Sequence, residues 1–349
     1  MAQVIRAMAE RNRQVEAFVR SAAPAEMFKP LPPARVEHSS IDTGMAEEGP
    51  LKIDAAGTLR RLSDLLDRRE AIVAEEAAAV RRLRPDLLVA DIPFLAGDVA
   101  EAASVPCVAV SNFTWDWICD PLLNDDPAYA AVRPQIVAGY EKIHSILQLP
   151  FGGVSEGLRD RTPVPLIAGR STRHRGEVLG HLGIEPNDRR PIALVALRGG
   201  VPRRVIKAAA IAAPDFLFLT APLPADDLPE NVRPVETGST IDFSDLVAAS
   251  DVVISKLGYG IVSDCLASGT ALLWPRRTGF REDDVVEAEC PRYMRTEEIP
   301  TELFFAGDWG APLRDLLEQA GPAEQIRTDG ADVCARLLLD RISSCGPPS

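Results

Sequence analysis

The stretch Asp251-Val-Val-Ile-Ser-Lys-Leu-Gly-Tyr-Gly-Ile-Val-Ser-Asp264 joins a short apolar strand, a turn containing Gly258, Tyr259 and Gly260, and the start of a helix. Glycine lets backbone approach a ligand closely, and the free N–H groups of a first helical turn attract anions. Lys256 adds a positive charge at the turn, and Ser263 and Asp264 add a hydroxyl and a carboxylate about one helical turn beyond Gly260. Phosphate on the amides and Lys256, with a ribose diol on Asp264, is the chemistry of a nucleoside diphosphate. The same pattern also fits a plain strand-turn-helix corner of an α/β domain, so the neighbours of this segment have to decide.

With 349 residues the chain has room for about two domains, each able to bury a core. Residues of the apolar set make up 46% of it, and no apolar run approaches the ~18 residues of a membrane helix. A soluble protein without a membrane span is expected. A formal charge of −13 argues against a nucleic-acid surface, which needs clustered Lys and Arg. A small anionic ligand requires only a local positive pocket and stays allowed. The six cysteines, Cys107, Cys119, Cys265, Cys290, Cys334 and Cys345, show no CxxC or metal spacing and read as cytosolic thiols. Residues 1–12 lack the apolar core and cleavage site of an export signal, so a cytoplasmic location is expected.

Elements that could position the turn alternate along the chain as in parallel α/β layers. The spacing predicts helices over 3–10, 53–83, 93–103, 129–147 and 333–342. Strands are predicted over 15–20, 35–38, 86–91, 105–110, 191–197, 216–219, 251–254 and 271–274. Residues 111–117 read as a loop, and the polar, proline-containing segment 152–165 reads as a domain junction. The expected division is an acceptor-side domain over 1–160, a donor-binding domain over 161–330, and a closing helix and tail over 331–349. Two Rossmann-like domains facing a cleft follow from this. Ligands in such sheets bind beyond the C-terminal strand ends, here the loops at Asp91, 111–117, 198–200 and 255–260.

Residues 86–117, 255–281 and 307–314 resemble the GT-B nucleotide-sugar glycosyltransferases. Within that group they are similar to the glycosyltransferase-like half of plant arabinokinase and its stand-alone bacterial relatives. The kinase half of arabinokinase has no counterpart here, so the resemblance implies no sugar-kinase activity. It does imply a GT-B fold and a nucleotide-sugar donor as substrate rather than cofactor, with UDP the expected nucleotide and other bases left open. Lys256, Gly258, Tyr259 and Gly260 then fall at the diphosphate. Asp264 stands where the family has a ribose-binding glutamate, one methylene longer. Glu282 and Asp283 match the sugar-reading acidic pair, with a solvated loop as the competing interpretation. Arg198, Gly199 and Gly200 resemble the glycine loop that adds backbone donors beside the phosphates. Asp91 sits where inverting members keep the aspartate of a His-Asp dyad, although a helix-capping role suits it equally. Asn112, Trp115 and Trp117 would line the acceptor side, and tryptophans in a loop are also often its anchors.

The family begins with a strand and a Gly/His loop that supplies the dyad histidine, and neither is found here. On this mapping His38, His144, His174 and His181 all lie elsewhere. The expectation is an N-domain sheet lacking its first strand, through a start called too late or a truncated relative, with the former preferred because the remaining pattern is intact. Metal-independent glycosyl transfer is the leading expectation, since no Asp-x-Asp triplet stands at a strand end. A non-catalytic sugar-nucleotide-binding or regulatory protein is the alternative, and a nucleotide-sugar epimerase of the same architecture a third.

Overall fold

A computed structural model describes residues 1–23, 34–197, 200–222, 228–236, 238 and 241–344. The first part of the chain runs through α1 (Ala2–Arg11), β1 (Ala17–Ser21), β2 (Ala34–His38), α2 (Ala55–Asp67), α3 (Arg69–Leu83), β3 (Leu88–Ala90) and α4 (Leu95–Ala103). It continues through β4 (Cys107–Ser111), α5 (Trp115–Leu123), α6 (Tyr129–Glu141), β5 (Ser145–Gln148) and β6 (Arg161–Pro163). Strands β3-β4-β5-β6 form a parallel sheet in that order, and β1 and β2 form a separate parallel pair among the described residues. All five residues of β4 are buried, as a parallel strand covered on both faces must be.

The second domain follows with α7 (Arg175–His181), β7 (Ile192–Val195), α8 (Arg203–Ala212), β8 (Leu217–Thr220), β9 (Val232–Pro234), α9 (Phe243–Ala249) and β10 (Val252–Ile254). Then come α10 (Tyr259–Ser268), β11 (Ala271–Pro275), α11 (Arg281–Glu289), β12 (Thr296–Ile299), α12 (Thr301–Ala306) and α13 (Gly310–Glu318). Its six-stranded sheet has the order β12-β11-β10-β7-β8-β9 and is parallel throughout. The order reverses between β7 and β10, so the loops after these two strands lie side by side at the topological switch point. The last helix, α14 (Gly330–Ser344), leaves this domain and packs on α1, with Cys334 and Leu338 joining Val4, Met8 and Val108 in one apolar cluster.

Several expectations change in detail. The helical stretch 53–83 divides at Arg68 into α2 and α3, the former capped where Asp54 accepts the Gly57 N–H at 2.9 Å. Residues 115–117 open helix α5 instead of belonging to a loop. The predicted helix 129–147 stops at Glu141, and its last residues become β5, a short buried run whose period cannot separate helix from strand. The proline-containing segment after it supplies β6, so the first sheet extends to Pro163, inside the expected junction. Residues 281–283 form the first turn of α11, not a loop.

Glu76 on α3 ties the β1–β2 pair to the rest of the domain. Its carboxylate accepts two bonds from Arg20 of β1, at 2.6 and 2.8 Å, and one from the Ser39 hydroxyl at 2.9 Å. Burial pushes this carboxyl up, but Arg20 and Ser39 outweigh that and hold it below its ordinary range. Its stabilising contribution is therefore complete above about pH 4.3, the unfolded value, and is lost as pH falls through the lower folded one. Glu76→Ala is expected to cost about 2 kcal/mol in urea unfolding at pH 7, because Arg20 keeps only its more exposed pair with Glu37 and the Ser39 hydroxyl loses its acceptor. A cost below about 1 kcal/mol would show that the pair does not anchor the strands.

Candidate functional site

Strand β10 is wholly buried and ends at Ile254; Ser255 then turns back to β7, its hydroxyl donating to Ala196 O at 2.8 Å. Lys256 follows, Gly258 caps α10, and Tyr259 is its first residue. A Cβ built on Gly258 or Gly260 would meet nothing within 4 Å. The protein's own packing thus leaves open space above both, which a ligand can enter. Gly200, in the left-handed region at φ +79°, stands in the adjacent loop after β7. Arg198 and Gly199 lie outside the described residues.

The positive groups of the turn already face carboxylates of the chain. Lys256 Nζ donates to Glu47 Oε1 at 2.8 Å. Glu282, buried in the first turn of α11, accepts from Asn112 Nδ2 at 2.7 Å and from the Tyr259 backbone N–H. Asn112 stands just after β4 of the first domain and also donates to Phe151 O, so Glu282 bridges the domains. Burial pushes the Glu282 carboxyl up to about 7, against the pull of Asn112 and Arg277.

Other expected residues have different occupations. Asp283 is buried and paired with Arg277, which donates to it from Nε at 3.0 Å, to Leu257 O at 3.0 Å from Nη2, and lies over the Phe280 ring. The solvated-loop interpretation of Glu282 and Asp283 is corrected accordingly: both are buried at a helix start. Ser263 is buried and gives its hydroxyl to Tyr259 O, one turn back in α10, at 2.7 Å. The Tyr259 side chain packs among apolar residues with its hydroxyl buried, so only its backbone faces the open side. Asp264 accepts the Gly169 N–H at 2.7 Å with one oxygen, and burial raises its carboxyl to about 6 despite that bond.

On the first domain, Asp91 follows β3 with a half-exposed carboxylate, 3.7 Å from the Met1 amino nitrogen. Among the described residues no histidine bonds it: His144 Nδ1 accepts from Cys107 N, and His181 Nδ1 contacts Glu177 O. Trp115 is buried in the first-domain core, where Nε1 donates to Asp42 at 2.9 Å, so the stacking surface expected of it is used in packing. Trp117 lies flat on Gly153, where any Cβ would strike the indole, and under Arg281, which also donates to Trp117 O at 3.0 Å.

Sequence reasoning missed Arg277, Glu47 and the hairpin carrying Glu47. The hairpin closes where Glu48 N–H donates to Lys52 O and Asp54 N–H to Ala46 O, both at 2.8 Å. It exchanges backbone bonds with Thr278 of the second domain: Ile53 N–H to Thr278 O at 3.0 Å, and Thr278 N–H to Leu51 O at 2.9 Å. Nothing in its composition marked it, because its partners are more than 200 residues away.

Comparison with solved structures decides the architecture. The calicheamicin glycosyltransferase CalG4 superposes with a TM-score of 0.59 at 16% identity, over 99% of this chain and 91% of that one. The chain has the GT-B fold. The same GT-B architecture aligns with a UDP-N-acetylglucosamine 2-epimerase described as putative, from Listeria monocytogenes, at TM-score 0.55 and 16% identity, covering 99% and 92% of the two chains. In sequence the chain is 24% identical over 313 residues to L-arabinokinase of Arabidopsis thaliana, covering 88% of this chain and 30% of that protein. It therefore spans under a third of that relative's length. No family model matches it. Among the described residues no helix is long and apolar enough to cross a membrane.

Buried carboxyls with raised values set a pH dependence. Glu282 and Asp264 bind protons more readily folded than unfolded, so their contribution is fully present below the unfolded range near pH 4 and is lost as pH rises through about 6 and 7. The contribution of these two groups to the urea midpoint is expected to fall from about pH 4 to about pH 7 and to level off above it. Glu282→Gln should flatten the upper part of that fall and Asp264→Asn the lower. Equal slopes in wild type and Glu282→Gln would assign the titration to other groups.

Proposed function

We propose that the chain is a glycosyltransferase that takes a sugar from a nucleoside-diphosphate donor, UDP-linked, and passes it to an acceptor hydroxyl. The observation that carries this reading is the α10 N-terminus: first-turn amides beyond Tyr259, a lysine and two glycines with open space above them, at the switch point of a parallel sheet in a GT-B fold. Leaving-group charge grows on the diphosphate as the glycosidic bond breaks, and preorganised amides and Lys256 are placed to offset it without reorganising. No cofactor is part of this proposal. Asp264, on the next turn of α10, has one oxygen engaged by Gly169 and the other available to a ribose hydroxyl.

Asp91 is the acceptor-side carboxylate of the proposal, because it is half-exposed at the C-terminal end of a first-domain strand. It would orient the base that takes the hydroxyl proton, or take it directly. Its lack of a histidine neighbour favours a second reading, a protein that holds a nucleotide sugar without transferring it. Phosphoryl transfer is not proposed from the arabinokinase likeness.

Calorimetry with UDP tests the donor seat. Lys256→Ala is expected to weaken binding by about tenfold, since a charge-assisted contact is worth roughly 1.5 kcal/mol or more. Unchanged binding would place the nucleotide elsewhere. For transfer, a panel of UDP-sugars with small hydroxyl acceptors should show turnover that falls by about 10²-fold or more in Asp91→Asn. Nucleotide binding with no turnover of any sugar would favour the binding protein.

A further inference from the structure

One group of the donor seat, Lys256, is already held by the chain itself. Residues 46–54 form a closed hairpin of the first domain, held by the Glu48–Lys52 and Asp54–Ala46 backbone bonds, so it moves as one piece. Three of its groups enter the second domain. Leu51 is buried in the apolar cluster at the ends of β7 and β10, with Val195, Leu197 and Ile254. Leu51 and Ile53 exchange backbone bonds with Thr278 in the loop after β11. Glu47 places its carboxylate on Lys256, the one charged side chain of the β10–α10 turn.

The chemistry at Lys256 is competitive. The Lys256 ammonium has three donors, but keeping the Glu47 carboxylate on it beside a diphosphate brings two anions to close range, which repels both. The hairpin is attached to the first domain, and its grip on the second includes Leu51, two backbone bonds, one ion pair and the Ile53 side chain beside Gly279. These contacts are separable without unfolding either sheet, the kind of locally weak element from which moving segments are drawn. Glu282 strengthens the same arrangement, since it takes the Tyr259 N–H while bonded to Asn112 of the first domain.

We propose that the 46–54 hairpin is an internal plug of the diphosphate position, in which Glu47 holds Lys256 in place of the donor's phosphate, the space above Gly258 and Gly260 stays open, and engagement of Lys256 by the nucleotide requires the hairpin to lift. This rests on the donor-site reading given above and adds its regulation. In the plugged form the two domains are clamped together; with donor bound, Lys256 passes from Glu47 to phosphate, and the Thr278 exchange opens.

Two measurements on the intact chain test it. In UDP calorimetry, Glu47→Gln removes the competing charge and is expected to bind about three- to fivefold tighter than wild type, the worth of a partly exposed ion pair. Leu51→Ala, which loosens the anchor without touching Lys256, should also bind more tightly. In hydrogen exchange, the Ile53 and Thr278 amides should be protected in the free protein and lose protection when UDP is added. Equal or weaker UDP binding by Glu47→Gln, or increased protection at both amides, overturns the plug while leaving the donor seat intact. If no form binds UDP, the donor reading falls and the plug with it.

Discussion

Thr278 and the hairpin opposite it carry the constraint on which the cleft depends. The residue gives its N–H to Leu51 and accepts from Ile53, which satisfies both of its backbone groups with atoms of the other domain. That exchange fixes the register of one sheet's strand ends against those of the other. Phe113 can then meet Phe280 edge-on, Asn112 can reach Glu282, and Arg281 can lie over Trp117. Each of these contacts spans the same junction between the two sheets.

Burial of charge at this junction is the second theme. Glu282, Asp283 and Arg277 lie within one loop and helix start and are all buried. A bare charge there would be prohibitively costly, and each is tolerated for a different reason. Arg277 and Asp283 neutralise one another, and Arg277 also donates to the Leu257 carbonyl. Burial raises the proton affinity of Glu282, and the Asn112 amide, the Arg277 charge and the Tyr259 N–H oppose that rise without cancelling it. Both adjacent carboxyls are raised by burial, and they are held by different partners, the Arg277 guanidinium for Asp283 and neutral donors for Glu282.

Much of the scaffold was legible because parallel strands buried on both faces are written as apolar runs. Strands β4, β7, β8, β10 and β11 are of that kind, and the turn after β10 carries glycines and a lysine where the fold places a helix N-terminus. Legibility failed where a short run could serve either structure, as at Ser145–Gln148, and where the decisive partner was distant in sequence. Trp115 illustrates the latter. Its spacing after β4 suggested a stacking surface, whereas Asp42 and the Tyr140 hydroxyl, both remote, turn it inward. Ser263 shows a local failure: its hydroxyl had an acceptor one helical turn away, and i−4 back-bonding used it. The glycine at 258 could be recognised, but the open space above it is a property of everything that is not there, which no local pattern encodes.

The crossing of α14 back onto α1 bears on how the molecule comes into being. The apolar cluster shared by Val4, Met8, Val108, Cys334 and Leu338 joins residues separated by more than 300 positions. A ribosome delivers the first of these well before the last, at about 5–20 residues per second. The six-stranded sheet can close as soon as its own strands have emerged, but the earlier-made domain has to wait with part of its apolar surface uncovered. The later domain therefore has the means to mature first, and the final helix seals the one that was synthesised before it.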